Sequence, residues 1–175
     1  MTQTPEPIEP ETKDWTVVIA DGCVECGFTP YDVTTTGERV RATIPKWQER
    51  LALADVTRRP QPQVWSPLEY GAHVRDVCQV FRQRLELMLA DDDPTFDDWD
   101  QDAAAVEDDY FHQSPDDVAA AYAVQAEQTA GAFDRVTQEQ WQRPSRRSNG
   151  SPFTVETFAT YFMHDLHHHL HDVSR

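Results

Sequence analysis

Apolar positions recur at steps of three and four in four stretches of the chain, and nowhere switch to a sustained strand-like alternation. In the first stretch, about residues 32 to 54, Val33, Gly37, Val40, Ile44, Trp47 and Leu51 trace one helical face. Pro45 lies inside it, removes one backbone donor and predicts a kink near Arg41. The second stretch opens on Ser66-Pro67-Leu68-Glu69. Ser66 is an N-cap, Pro67 suits the first helical position, and Glu69 can close a capping box. That helix runs to about residue 90, with Tyr70, Val74, Val77, Phe81, Leu85 and Met88 as its seam. Ser114-Pro115-Asp116-Asp117 starts the third by the same logic, to about residue 136, and the fourth begins near Phe153-Thr154. Four such helices predict an all-α four-helix bundle. The connection from about 91 to 114, with a short peripheral helix over about 96 to 111, is long enough to let the second and third helices run parallel.

The pattern divides the chain into an extension, residues 1–31, and the bundle, residues 32–175. Pro5, Pro7 and Pro10 keep the first residues irregular. The apolar, β-branched run over 15 to 20 is expected to lie extended over the main body. A turn follows around Cys23-Val24-Glu25-Cys26-Gly27.

Charge narrows the function. A net charge of −16 repels phosphate backbones and anionic lipid, so neither nucleic acid nor a membrane surface is an expected partner. No apolar run is long enough for a membrane span, and the first residues lack signal-peptide features, so a cytoplasmic location is expected. The acidic stretch 91 to 109 lacks the ligand spacing of a calcium loop. The basic cluster Arg143, Arg146 and Arg147 is expected to pair with this acidic surface. Three cysteines make no disulfide framework. Cys23 and Cys26 resemble half of a zinc knuckle, but no second cysteine pair exists to close a four-thiolate site. Reduced thiols in a tight turn are expected there, and a packing role for Cys78.

Candidate chemistry concentrates at the end of the fourth helix, where five of seven histidines lie. His164 and His168 are four apart, which places two imidazoles on one helical face and lets them share a metal ion. His167 and His171 obey the same rule, so spacing does not choose between the pairs. A third ligand must come from elsewhere, and His73 and His112 are the remaining histidines. His164 and His168 fall opposite the apolar face of Val155, Phe158, Phe162 and Leu166, on the side of Thr157 and Tyr161. A metal there needs the helix covered on both sides or a cleft, and a cleft is expected.

Helix order and histidine positions together resemble the DinB-like superfamily, metal-binding four-helix bundles that include mycothiol-dependent maleylpyruvate isomerases and bacillithiol transferases. The matching residues are Trp65 to Asp76 on the second helix and His164-Asp165-Leu166-His167-His168 on the fourth. The resemblance covers about residues 32 to 173. It implies an up-down-down-up bundle and a divalent ion (Zn, Ni or Fe) between the second and fourth helices, held by His73, His164 and His168. Asp76 and Asp165 would orient ligand imidazoles from behind, and Tyr161 would serve as a pocket donor. One family ligand set has Glu in place of the first histidine of the pair, where this chain has His164. The implied activity is thiol S-transfer or isomerisation on a small-molecule substrate, with a low-molecular-weight thiol such as mycothiol at the open coordination position. Metal-assisted hydrolysis and a non-enzymatic metal-binding module, dimeric through its helix faces, are the competing expectations.

Overall fold

The computed structural model describes residues 5–174 of the chain. Its helices are α1 (Val18–Asp21), α2 (Thr36–Leu51), α3 (Pro67–Ala90), α4 (Gln101–Glu107), α5 (Pro115–Asp134) and α6 (Val155–Asp172). Three short strands, β1 (Thr95–Phe96), β2 (Pro144–Arg147) and β3 (Pro152–Thr154), form one sheet in that order. The strands β1 and β2 are parallel, and β2 and β3 antiparallel.

The long helices begin where local chemistry starts them. Ser66 accepts from the Glu69 amide while the Glu69 carboxylate accepts from the Ser66 amide at 2.8 Å, a complete capping box. Thr154 and Thr157 make the equivalent box at α6, and Ser114 caps α5. The helix α2 starts later than expected, because Asp32 first caps a 3-10 turn over Val33–Thr35, and it then continues through Pro45.

Side-chain neighbours fix the directions. The start of α2 meets the end of α5, with Gly37 against Asp134 and Ala130. The Thr43 and Tyr122 hydroxyls bond at 2.5 Å further along, so these helices are antiparallel. At the start of α3, Gly71 touches Leu51 from the end of α2 and Val118 from the start of α5. Arg82 then reaches Gln125 at 3.1 Å, so α3 and α5 run parallel. Arg50 near the end of α2 donates to the Val173 carbonyl just past α6 at 2.7 Å, making α2 and α6 parallel. The bundle is therefore up-down-down-up, with α4 and β1 inside the long crossover. Its core is aromatic: Phe81 stacks on Phe158 and Phe162 at 4.8 and 5.2 Å, and Phe133 on Phe162 at 5.5 Å. Each such ring, fully buried, stabilises the fold by about 1.5–3 kcal/mol.

Two expectations are corrected. Residues 15 to 20 are not extended: Asp14 caps a 3-10 turn over Trp15–Val17 that leads into α1, with Val18 buried as the anchor. The small sheet was not read from the sequence, because strands of two to four residues are too short to show an alternation. The sheet lets the crossover and the loop before α6 satisfy each other's backbone groups. The basic cluster does pair with the acidic crossover: Arg143 with Asp92 at 3.4 Å, Arg146 with Asp93 at 3.3 Å and Arg147 with Asp98 at 3.6 Å. No described helix is long and apolar enough to cross a membrane.

Candidate metal centre

At about 100° per residue, the end of α6 carries two i,i+4 pairs pointing different ways. Asp165 and His169 fall on the side of Phe158, Phe162 and Leu166, toward the bundle interior and α3. His164 and His168 lie about 100° further round, toward the N-terminal segment.

The inner pair meets His73, which α3 presents about two turns after its cap at Ser66. The ligand atoms of His73, Asp165 and His169 all lie within 4.8 Å of one another. His73 is fully buried, with its ring stacked on Trp99 at 5.6 Å and tilted against Trp65 at 5.1 Å. Neither of its ring nitrogens has a hydrogen-bond partner among the described residues. His169 is held at both nitrogens, Nε2 lying 3.1 Å from Asp165 Oδ1 and Nδ1 3.0 Å from Asp172 Oδ2.

Burial, reinforced by the nearby His169, pushes His73 down to about 3, so it is a neutral donor at neutral pH. Burial also lowers His169, but its bonds to Asp165 and Asp172 outweigh that and raise it to about 9. Asp165 is pushed up by burial, yet its bond to His169 leaves it below the usual carboxylate range. At neutral pH His169 is therefore held protonated between the carboxylates of Asp165 and Asp172.

The outer pair meets the CxxC turn. The Sγ atoms of Cys23 and Cys26 and the imidazole nitrogens of His164 and His168 again lie within 4.8 Å of one another. Cys23 Sγ is 3.6 Å from His168 Nδ1. Trp15 packs on both rings, at 5.1 Å from His164 and 4.8 Å from His168. Burial, then the neighbouring His168, pushes His164 down to about 4. Both cysteines are free thiols, and burial raises Cys26 to about 11.

The family model of the DinB superfamily matches residues 36–173. This chain belongs to the DinB superfamily. Among solved structures it is similar to YfiT from Bacillus subtilis, with a TM-score of 0.68 and 17% identity over 97% of this chain and 93% of that one. YfiT is described as "a probable metal-dependent hydrolase with an unusual four-helix bundle topology". No curated protein matches the chain. The DinB match leaves out residues 1–35, and with them Trp15, Cys23 and Cys26.

Within this DinB fold the expected triad is divided. The structure does not gather His73 with His164 and His168: it puts His73 with Asp165 and His169, and the other two with the cysteines. The helical period is the reason. A histidine one residue earlier faces about 100° away from α3, and only the inner register reaches His73. Asp165, expected to orient a ligand, is itself in ligand position. Asp76 does not orient His73, since it pairs with Arg75 at 2.7 Å and accepts from the Tyr110 hydroxyl. Asp172 holds an imidazole instead. Asp165 and His169 repeat the i,i+4 spacing of His164 and His168, so spacing was the one signal that pointed at them, and it did not choose between the pairs.

A cavity of about 420 Å³ opens onto both clusters of the DinB bundle. Asp165, His169, His164 and His168 line it, as do Trp15, Trp65 and Trp99. Tyr161 is on its wall. The expected cleft is roofed, because Trp15 and Phe28 cover the outer face of α6. The inner residues fit a divalent ion. Two imidazoles and a carboxylate suit zinc, nickel or iron, and a cation would take up one of the two bare nitrogens of His73, a deficit costing about 1–3 kcal/mol.

Proposed function

We propose that this DinB protein is a divalent-metal enzyme acting on a small molecule, with its ion held by His73, Asp165 and His169. The nucleophile is the thiol of a low-molecular-weight thiol such as mycothiol, and the reaction is S-transfer or isomerisation. The observation that carries the metal assignment is His73, fully buried with both nitrogens unpartnered, beside Asp165 and His169 at a cavity wall; the thiol chemistry rests on the family resemblance. Three protein ligands leave a coordination position open, the pattern of catalytic rather than structural sites. Zinc, nickel or iron there would supply Lewis acidity and hold a thiol or water as its anion near neutral pH.

The chain's own groups do the rest. Asp172 accepts the Nδ1 proton of His169 and so keeps Nε2 for the ion. An ion held at His169 Nε2 would take the place of the proton that Nε2 shares with Asp165. Trp65 and Trp99 pack His73 in apolar surroundings and exclude water from its back. Arg84 and Arg147 line the same cavity, where Arg147 pairs with Asp98 at 3.6 Å. Hydrolysis is the second reading, favoured by the description of YfiT.

The test loads the purified protein with zinc, nickel or iron in turn and follows thiol consumption with an electrophilic acceptor. Metal-dependent consumption that His73→Ala removes supports thiol transfer. Metal-dependent cleavage of generic esters or amides without thiol replaces it with hydrolysis. Loss of neither on His73→Ala sinks the assignment of the centre.

A further inference from the structure

We propose that Cys23, Cys26, His164 and His168 form a second metal site, a closed four-coordinate zinc site that fastens the N-terminal segment to α6. It goes beyond the catalytic reading and does not depend on it.

The geometry is that of a zinc cradle. With Zn–S near 2.3 Å and Zn–N near 2.0–2.1 Å, tetrahedral ligands sit about 3.5 Å apart. Cys23 Sγ and His168 Nδ1 are already 3.6 Å apart, and all four ligand atoms are within 4.8 Å of one another. The turn presenting the sulfurs is built for it. Cys23 donates its amide to the Phe28 carbonyl at 2.8 Å, and Gly27 donates back to the Cys23 carbonyl at 2.9 Å. Gly27 takes φ +74°, which L side chains rarely adopt, and Gly22 takes φ +70° with no room for a Cβ, since one would lie 2.5 Å from the Phe28 oxygen. His167 lies 3.0 Å from the Cys26 carbonyl and pins the turn to α6.

A second observation points to a ligand. His164 is 3% exposed, and its Nε2 has no hydrogen-bond partner among the described residues. A nitrogen left bare beside two thiols is explained by a cation that all three share.

The donor set also separates this site from the first. Two thiolates and two neutral imidazoles balance one Zn²⁺, which suits a covered location, and sulfur selects zinc over hard oxygen-seeking ions. Four protein ligands leave no open position, so the site is structural. Its effect falls on the cavity. Trp15 rests on His164 and His168 and forms part of the cavity wall, so the ion holds that wall in place.

The experiment uses the full chain and two variants, Cys23→Ser/Cys26→Ser and His73→Ala. Elemental analysis after zinc loading should find about two ions in the wild type and about one in each variant. Cobalt(II) in place of zinc should give a sulfur-to-cobalt charge-transfer band in the wild type and in His73→Ala, absent from the double variant. Should the double variant fail to fold, alkylation of the wild type decides: zinc should protect Cys23 and Cys26, and a chelator should expose them. A wild type without the charge-transfer band, or with both cysteines alkylated equally with and without zinc, overturns the proposal. So does a Cys23–Cys26 disulfide in protein isolated without oxidant. Loss of zinc only in His73→Ala would defeat this site and leave the catalytic reading standing. Loss only in the double variant would do the reverse.

Discussion

Replacing His73 with leucine should stabilise the metal-free protein while weakening its response to metal. In the absence of an ion, His73 contributes two buried ring nitrogens without partners. Each unsatisfied buried polar group costs about 1–3 kcal/mol. Leucine is of similar volume and carries none of them. It forfeits the ring contacts with Trp99 and Trp65, each worth about 0.5–1.5 kcal/mol. The balance is a gain of about 1–3 kcal/mol for metal-free His73→Leu. With metal present the gap should close or reverse, because the wild type gains about 2.7 kcal/mol at a hundredfold excess of free ion over its dissociation constant. Denaturant unfolding in chelator and then in zinc measures both. Zinc at the cysteine-containing cluster would add equally to both proteins, so the deciding quantity is the difference between their zinc increments. If His73→Leu is less stable than the wild type in chelator, or gains as much from zinc, the argument that His73 is kept bare for a metal is wrong.

Further outcomes follow from the same geometry. His73 has a folded pKa of about 3 against an ordinary 6.5, so its contribution is present above pH 6.5 and lost as pH falls toward 3. Between pH 7 and 5 the metal-free wild type should therefore lose about 2 kcal/mol more stability than His73→Leu, read from denaturant midpoints at each pH. His169, raised to about 9, acts with the opposite sign: its contribution is full below pH 6.5 and disappears as pH rises through 9. Asp172→Asn removes the charged acceptor behind His169 and should weaken metal affinity at the inner centre by about 10–100-fold, measured by chelator competition in the Cys23→Ser/Cys26→Ser background. Gly37→Ala places a Cβ 2.9 Å from the Ala130 carbonyl and on top of the Asp134 carboxylate where α2 crosses α5. It should destabilise by about 1–3 kcal/mol in thermal or chemical melts without changing metal content per folded chain.

Local chemistry made much of this protein legible before its structure. Helix starts at Ser66, Ser114 and Thr154 depend on residues within one turn, so the sequence could state them. The apolar seams and the long crossover were enough for a four-helix bundle with parallel α3 and α5. Histidine enrichment at the end of α6, with His73 in α3, marked the region of the candidate centre. The ligand register was not legible, because Asp165/His169 and His164/His168 share one spacing and differ only in azimuth. Azimuth has meaning only against neighbours: α3 on one side, the CxxC turn on the other. Cys23 and Cys26 precede His164 by well over a hundred residues, so no local pattern joined them. Short-range hydrogen bonding and hydrophobic period thus came from the chain itself. Which imidazole meets which partner was decided by packing, since helices α3 and α6 and the N-terminal segment converge only in the folded state.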